Sequence, residues 1–280
     1  VMTEPSLQFR WLGVAGIELT VGGCVLTVDP FFTRPSFWRV GCGRVMSERA
    51  LAAAIVPRCD YVLITHTHYD HAMDAPEVAR ATGAVVLGSP NTCDLMAACG
   101  VPVGQIRLVS PGDRLSLGPF EVDVMDGQHM RWVGPGPGKL ARDLRPPLRL
   151  HDYRLDVCLS FLIRIAGRRL LVWHSIFPKL APPADVLFLG ALESRKHYVH
   201  LLREMHPRLV VPLHWDNFFR PFGRPIRPLI CPARWAWPSI RRHDPARFAR
   251  MVREIAPDVQ VLVPELLSRY DLEQVLTDFP

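Results

Sequence analysis

The feature that most constrains this chain is a cluster of metal-binding residue types, HTHYDH (66–71), directly after the apolar run YVLIT (61–65). A short apolar run of this kind predicts a buried strand. Alternate residues of an extended segment project to the same side, so His66 and His68 can converge on one metal ion. The following turn swings Asp70 and His71 toward a neighbouring ion. Four imidazole or carboxylate groups within six residues favour a metal site over a polar strand end, and they suit zinc or a similar divalent ion.

Composition places this chain among ordinary globular proteins, since 49% of its 280 residues are hydrophobic and 21% are charged. Neither a repeat nor a break in composition appears, so we expect a single domain over residues 1–280. No apolar run approaches the ~18 to 20 residues that a membrane-spanning helix needs, and residues 1–13 lack the features of a secretory signal. Seven cysteines occur without CxxC pairs, mostly in apolar runs. We therefore expect a soluble protein of the reducing cytoplasm.

Alternation of short β-rich runs with Gly and Pro predicts the secondary structure. The predicted strands are 7–13, 16–23, 24–30, 61–65, 84–88, 105–109, 120–126, 158–165, 168–173, 185–190 and 208–214. Apolar residues at helical spacing predict helices over 194–205 and 245–255, and a short helix capped by Asp74. Many strands with intervening helices indicate an α/β fold in which helices cover two sheets.

Three segments rich in proline, arginine and aromatic residues do not fit this scaffold: 31–49, 132–156 and 218–242. Long segments of this kind are commonly lids or binding loops, with mobile linkers as the alternative. The net charge of +6 comes from arginines scattered along the chain. It favours a solvated basic surface and at most tilts the expected small-molecule substrate toward anions. A dense basic stripe, as nucleic-acid binding would require, is missing.

The motif HxHxDH resembles the signature of the metallo-β-lactamase superfamily, and WLGVAGIELTVGGCVLTVDPFF (11–32) resembles its first strands. Within the superfamily, the chain is most similar to the branch of bacterial ascorbate-phosphate lactonases and N-acylphosphatidylethanolamine-type phospholipases D. The resemblance implies a four-layer αββα sandwich. It also implies one metal ion held by His66, His68 and His129, a second held by Asp70, His71 and His214, and Asp29 as a support that orients the ligands.

One departure from that resemblance concerns the bridge between the two ions. Members with two metals usually carry a Gly-Asp pair after a strand, whereas this chain has His174-Ser175. Counting from Gly167 puts Ser175 at the Asp position. Losing a shared carboxylate removes charge that offsets the repulsion of two dications ~3.5 to 4 Å apart. Either the second ion binds weakly, or His174 turns in as a substitute ligand, so the cofactor is one or two zinc ions.

These residues predict a metal-dependent hydrolase. Zinc lowers the pKa of a bound water toward ~7, which provides a hydroxide nucleophile for an ester, lactone or phosphodiester. Asp70 is the candidate catalytic residue that orients the water and carries its proton. One alternative is a lipid-surface phosphodiesterase or binder that uses the aromatic residues of 218–242, although lid packing is the preferred interpretation of these aromatics. Another is a metal-binding member with a degenerate second site and little activity. Oligomeric state stays open.

Overall fold

The computed structural model describes residues 6–129, 135–174, 182–232 and 240–277. The strands in chain order are β1 (Gln8–Gly13), β2 (Gly16–Val21), β3 (Cys24–Val28), β4 (Tyr61–Leu63), β5 (Val85–Gly88), β6 (Ile106–Leu108), β7 (Arg114–Leu117), β8 (Phe120–Gly127), β9 (Cys158–Ile165), β10 (Arg168–Trp173), β11 (Val186–Gly190), β12 (Leu209–Leu213), β13 (Ile230–Pro232), β14 (Ile240–Arg242), β15 (Gln260–Val261) and β16 (Arg269–Asp271). The helices are α1 (Phe37–Cys42), α2 (Arg49–Ile55), α3 (Tyr69–Ala72), α4 (Ala75–Thr82), α5 (Pro90–Ala98), α6 (Arg195–Met205), α7 (Pro245–Ile255) and α8 (Leu272–Thr277), with short 3-10 turns at Val103–Gln105 and Leu150–Asp152.

Within the described residues, these strands form two seven-stranded mixed sheets and a separate β13–β14 hairpin. The first sheet has the order β16-β1-β2-β3-β4-β5-β6, and its strands from β3 onward pair in parallel. The second sheet has the order β15-β12-β11-β10-β9-β8-β7. Here β7 to β10 pair in antiparallel fashion, and β10, β11, β12 and β15 pair in parallel.

The main hydrophobic core lies between the two sheets. Phe9 of β1 meets Phe188 of β11 with ring centroids 5.1 Å apart, and Trp11 stacks on Trp215 at 5.3 Å. These aromatic side chains are almost fully removed from water. Each buried aromatic of this size excludes a large apolar area from solvent, so the interface between the sheets is the principal source of stability.

Helices cover the outer face of each sheet. On the first sheet, Val62 and Val86 point into a second core with residues of α2, α4 and α5. On the second, Tyr198 of α6 packs edge-on against Phe248 of α7, and both belong to the main core. The predicted αββα sandwich is confirmed by this layering.

The start of α4 differs in detail from the predicted cap. The helix does begin after Asp74, but the Asp74 side chain makes no capping bond to it. Its carboxylate instead accepts the backbone N–H groups of Phe32 and Thr33 at 2.7 and 2.8 Å and the hydroxyl of Ser47 at 2.5 Å. Asp74 therefore holds the 31–49 insertion against the first sheet.

Each of the three insertions contains some regular structure. The first includes α1, the second includes the 3-10 turn Leu150–Asp152, and the third includes the β13–β14 hairpin. Asn91 fastens the second insertion: its side-chain amide donates to the carbonyls of Gly138 and Arg154 at 2.9 Å each and accepts from the Leu140 N–H at 3.1 Å. The tryptophans of the proposed lipid-surface patch, in 233–239, lie outside the described residues. Across the described ranges, every helix is too short or too polar to span a bilayer.

Candidate metal centre

The histidines of the candidate centre stand where strands end. His66 follows β4, whereas His129, His174 and His214 follow β8, β10 and β12. The pairings of the second sheet give β8, β10 and β12 the same direction, so their carboxyl ends lie at one edge. This edge meets the end of β4, which explains how residues far apart in sequence come together.

Three of these side chains form the first ligand group, His66, His68 and His129. The ring centroids lie 4.7 Å apart for His66–His68, 4.7 Å for His66–His129 and 4.5 Å for His68–His129. One nitrogen from each ring lies within 4.8 Å of the others, which is the spacing at which three imidazoles can share one ion. The structure thus brings together the three residues that the sequence placed at one metal.

The second ligand group consists of Asp70, His71 and His214. Asp70 and His71 lie on the single-turn helix α3, and His214 approaches from the end of β12. Oδ2 of Asp70 lies 3.1 Å from Nε2 of His214 and 3.8 Å from Nε2 of His71. The carboxylate and two imidazoles therefore face a common point next to the first group.

Asp29 lies beneath the cluster and is fully buried at the end of β3. Its Oδ2 is 2.7 Å from Nδ1 of His71 and accepts the hydroxyl of Thr65 at 2.5 Å, while its Oδ1 accepts the Thr65 N–H at 2.8 Å. Asp29 has a φ of 45°, a left-handed conformation that costs free energy for a non-glycine residue. This strained aspartate orients His71, one of the ligands that the resemblance expects it to support.

His68 is oriented by a different partner, since its Nε2 lies 3.2 Å from the Pro135 carbonyl oxygen. Its Nδ1 is then the nitrogen available to the first ligand group. His66 shows the opposite arrangement, because its Nδ1 is 3.0 Å from the Thr65 hydroxyl and its Nε2 is left for the centre. An outer partner on one ring nitrogen is what fixes the tautomer of a metal-binding histidine.

His174 faces into the centre. It forms a third candidate group with His66 and His71, and its ring centroid lies 5.9 and 5.2 Å from theirs. Ser160 accepts its backbone N–H at 3.0 Å, and its own carbonyl accepts the thiol of Cys158 at 3.3 Å. His174 is thus placed between the two ligand groups. Ser175, the other candidate for the bridging position, lies outside the described residues.

Burial determines the charge of several of these imidazoles. It lowers the pKa of His66 and of His174 well below the ordinary value of 6.5, and it lowers the pKa of His68 as well. Burial also lowers the pKa of His71, but the carboxylates of Asp29 and Asp70 outweigh this effect and the net pKa is raised. Neutral imidazole is the form that binds a metal ion, so burial prepares His66, His68 and His174 for that role.

Asp70 is held in its ionised form. Burial alone would raise the pKa of this carboxyl, but the neighbouring His71 and His214 more than compensate and keep it well below its usual range. A carboxylate that stays ionised can bind a cation and accept a hydrogen bond from a water molecule.

An orphaned polar atom tests whether these residues fit a metal ion. Nε2 of His66 is buried and has no hydrogen-bond partner among the described residues, although it sits amid four other imidazoles. A buried polar atom without a partner costs free energy. A divalent cation at the point where the nitrogens converge satisfies this atom, so the donor set fits a zinc-type ion.

Several residues that shape the centre could not be predicted from the sequence. Thr65 and the Pro135 carbonyl are absent from the predicted set, whereas Phe37, Phe218 and Phe219 lie in two of the segments predicted to be lids or binding loops. Thr65 precedes the histidine motif, but nothing in its residue type indicates that its hydroxyl joins Asp29 to His66. Backbone carbonyl contacts leave no sequence signal at all.

Comparisons with known proteins agree with this fold and with metal dependence. The family model of the metallo-beta-lactamase superfamily matches residues 42–172. A UPF0173 metal-dependent hydrolase of Pyrobaculum aerophilum is 30% identical over 213 residues, which cover 76% of this chain and 85% of the relative. A counterpart from Pyrobaculum arsenaticum is 29% identical with the same coverage. Among solved structures, Igni18, a metallo hydrolase from Ignicoccus hospitalis, matches with a TM-score of 0.60, 19% identity and coverage of 95% of this chain and 97% of its own.

The chain therefore belongs to the metallo-β-lactamase superfamily. Within it, these curated relatives share the name UPF0173 metal-dependent hydrolase. The more specific resemblance to lactonases and phospholipases stays a prediction.

Proposed function

We propose that this protein is a zinc-dependent hydrolase that cleaves a small ester, lactone or phosphodiester. The single observation that carries the proposal is the convergence of two ligand groups on one strand-end edge, with His174 between them. Convergence of this kind is difficult to explain as packing, because His66, His68 and His71 are buried and the other members of the groups are at least half-buried. The metal-dependent hydrolases among the relatives support the same reaction class.

The proposed division of ligands follows the geometry of the side chains. His66, His68 and His129 would hold the first ion, and Asp70, His71 and His214 would hold the second. His174 would add a nitrogen from the position between them. Zinc suits this set because imidazole nitrogen and carboxylate oxygen are its common ligands.

When bound, a divalent ion would polarise the scissile carbonyl or phosphoryl oxygen and lower the pKa of a water molecule. The remaining tasks fall to the protein. Asp70 is ionised and lies at the junction of the two groups, where its free oxygen can orient the attacking water and accept its proton. Asp29 and Thr65 keep His71 and His66 in fixed ring orientations, so that no free energy is spent on reorganising ligands during the reaction.

Metal analysis of the purified protein, paired with a screen of lactone, aryl ester and phosphodiester substrates, tests this proposal. We expect zinc in the protein as isolated and turnover of at least one substrate class. His66→Ala should lose both metal and turnover, and Asp70→Ala should lose turnover. His200→Ala, which changes an exposed histidine on α6 away from the centre, is the matched control and should leave both unchanged. Full turnover in His66→Ala would refute the proposed centre.

A further inference from the structure

We infer that the substrate of this centre carries an uncharged apolar acyl or aryl group, held by an aromatic wall formed by Phe37, Phe218 and Phe219. This inference rests on the proposed hydrolase function and specifies its substrate class. The three phenylalanines line a cavity of about 370 Å³ that also contains the candidate metal ligands. A cavity of this size accommodates a small-molecule group beside the reacting atoms.

The aromatic wall runs without interruption from the centre to the surface. The Phe218 ring meets the His214 ring edge-on at 5.6 Å and the Phe219 ring at 4.5 Å. Phe219 in turn meets Phe37 at 5.2 Å. Phe37 is 60% exposed, so the wall begins at a proposed metal ligand and ends in solvent. A substrate whose reacting group sits at the centre would therefore lay its adjoining substituent along these rings.

Further apolar side chains line the cavity beside the polar Gln128, Glu193 and His197. Val40 on α1, Leu189 at the end of β11, Leu192 just beyond it, and Trp173 line it together with the aromatic wall. Val40, Trp173 and Leu189 are buried, and these side chains come from separate parts of the fold. These apolar side chains favour binding where a ligand covers them with apolar atoms, since they offer few hydrogen-bond partners to a polar group.

The charges at this cavity disfavour an anionic substituent. Apart from its histidines and the proposed metal ligand Asp70, the charged side chain that lines it among the described residues is Glu193, which is acidic. A carboxylate or phosphate on the substituent would approach the Glu193 carboxylate and would lose its hydration against the aromatic wall without compensation there. The positive net charge of the chain, which tilted the sequence-based expectation toward anions, is not carried by these lining residues.

Burial of apolar atoms on the aromatic wall should make binding stronger as the substituent becomes longer. Each methylene group that is removed from water strengthens binding by roughly fourfold. The specificity constant kcat/KM for a homologous ester series should therefore rise by about that factor per methylene until the chain passes Phe37.

The experiment measures kcat/KM for the acetyl, butyryl, hexanoyl and octanoyl esters of p-nitrophenol with the metal-loaded protein. We expect kcat/KM to rise with chain length in the wild type and to depend much less on chain length in Phe219→Ala and Phe37→Ala. The difference should appear in KM. Trp38→Ala is the matched control, because Trp38 neighbours Phe37 on α1, is 76% exposed and does not line the cavity. The hemiglutarate ester is similar in length to the hexanoyl ester but ends in a carboxylate, and it should be the poorer substrate of the two. A preference for the hemiglutarate ester would overturn the inference that the substituent is uncharged.

Displacement of Nile red, a neutral dye, by butanamide, hexanamide and octanamide gives a second readout that needs no turnover. Chain-length-dependent displacement that Phe219→Ala weakens and Trp38→Ala preserves supports the aromatic wall even if no ester is hydrolysed, in which case only the proposed hydrolase function fails. Displacement that is independent of chain length, or equal in the wild type and Phe219→Ala, overturns the inference.

Discussion

Replacing Arg34 by leucine should both destabilise the protein and disturb the second ligand group. The Arg34 guanidinium donates to Asp216 at 2.6 Å, and the two side chains are 1% and 0% exposed. Asp216 also accepts the Val14 N–H at 3.1 Å, and the Val14 carbonyl accepts the His214 N–H at 2.8 Å. The pair therefore connects the first insertion to the β1–β2 turn and to a proposed ligand.

The expected size of the effect follows from burial. Removing one partner of a fully buried ion pair leaves an uncompensated charge and costs about 3 to 5 kcal/mol. Total stabilities of ~5 to 15 kcal/mol make this a large fraction of the whole. Val14 and His214 both have left-handed backbone conformations, with φ of 50° and 58°, and strained residues of this kind relax when their support is removed. We therefore expect weaker metal binding at the second group as well.

Urea denaturation in the presence of a chelator measures the change in the free energy of unfolding without a contribution from metal. The matched control is Arg164→Leu, which breaks a pair with Asp123 whose side chains are 45% and 22% exposed. An exposed pair of this kind contributes only ~0.2 to 1 kcal/mol. If Arg34→Leu and Arg164→Leu cost the same, or if Arg34→Leu leaves metal content intact, the reasoning about the buried pair is refuted.

Four further outcomes are expected. His174→Asp should raise the metal content toward two ions per chain, as measured by elemental analysis, and a rise in Ser175→Asp alone would contradict the placement of His174. Asn91→Ala should make the segment 135–156 more susceptible to limited proteolysis, because it removes three hydrogen bonds; an unchanged cleavage rate would show that other contacts hold the insertion. Thr65→Val should lower zinc affinity by roughly 10- to 100-fold in a chelator competition, as expected for a lost outer partner of metal ligands, and an affinity equal to that of the wild type would refute its role. Metal removal should lower the melting temperature, since an ion that binds only the native state stabilises it, and identical melting curves with and without chelator would argue against a structural contribution of the ions.

The sequence allowed the strands of the sandwich to be predicted well, because most of them are apolar runs bounded by Gly or Pro. It did not identify several short elements, among them α2, α5 and β7. The segment that forms α5 begins at Pro90 after Ser89, a usual helix start, but its apolar residues lack a clear helical repeat. β7 is four residues long and half exposed, and its pairing with β8 rather than its own composition defines it. Tertiary contacts decide such short elements.

The candidate centre was predictable to the extent that its residues lie in a motif or at strand ends. His66, His68, Asp70 and His71 lie within one short segment, and the resemblance supplied His129 and His214. The orientation of His174 could not be predicted, because a shift of one residue in counting exchanges it with Ser175. In a strand that ends at Trp173, one position decides whether a side chain points into the centre or away from it.

His174 also determines how many ions the centre is expected to hold. Two unit charges 4 Å apart interact by about 4 kcal/mol at an effective dielectric constant of 20, so two dications at that distance repel by roughly 16 kcal/mol. A carboxylate shared between them, at about 2 Å from each, would more than offset this repulsion, because each of its two contacts contributes a similar amount of attraction. A neutral imidazole contributes no net charge, and burial keeps His174 neutral. Asp70 is then the one carboxylate among the proposed ligands, and Asp29 adds its charge from behind His71, at 2.7 Å from Nδ1 of His71 and 3.8 Å from Nε2 of His174. The first ion should therefore bind tightly to its three imidazoles, and the second should bind much more weakly than it would beside a bridging aspartate.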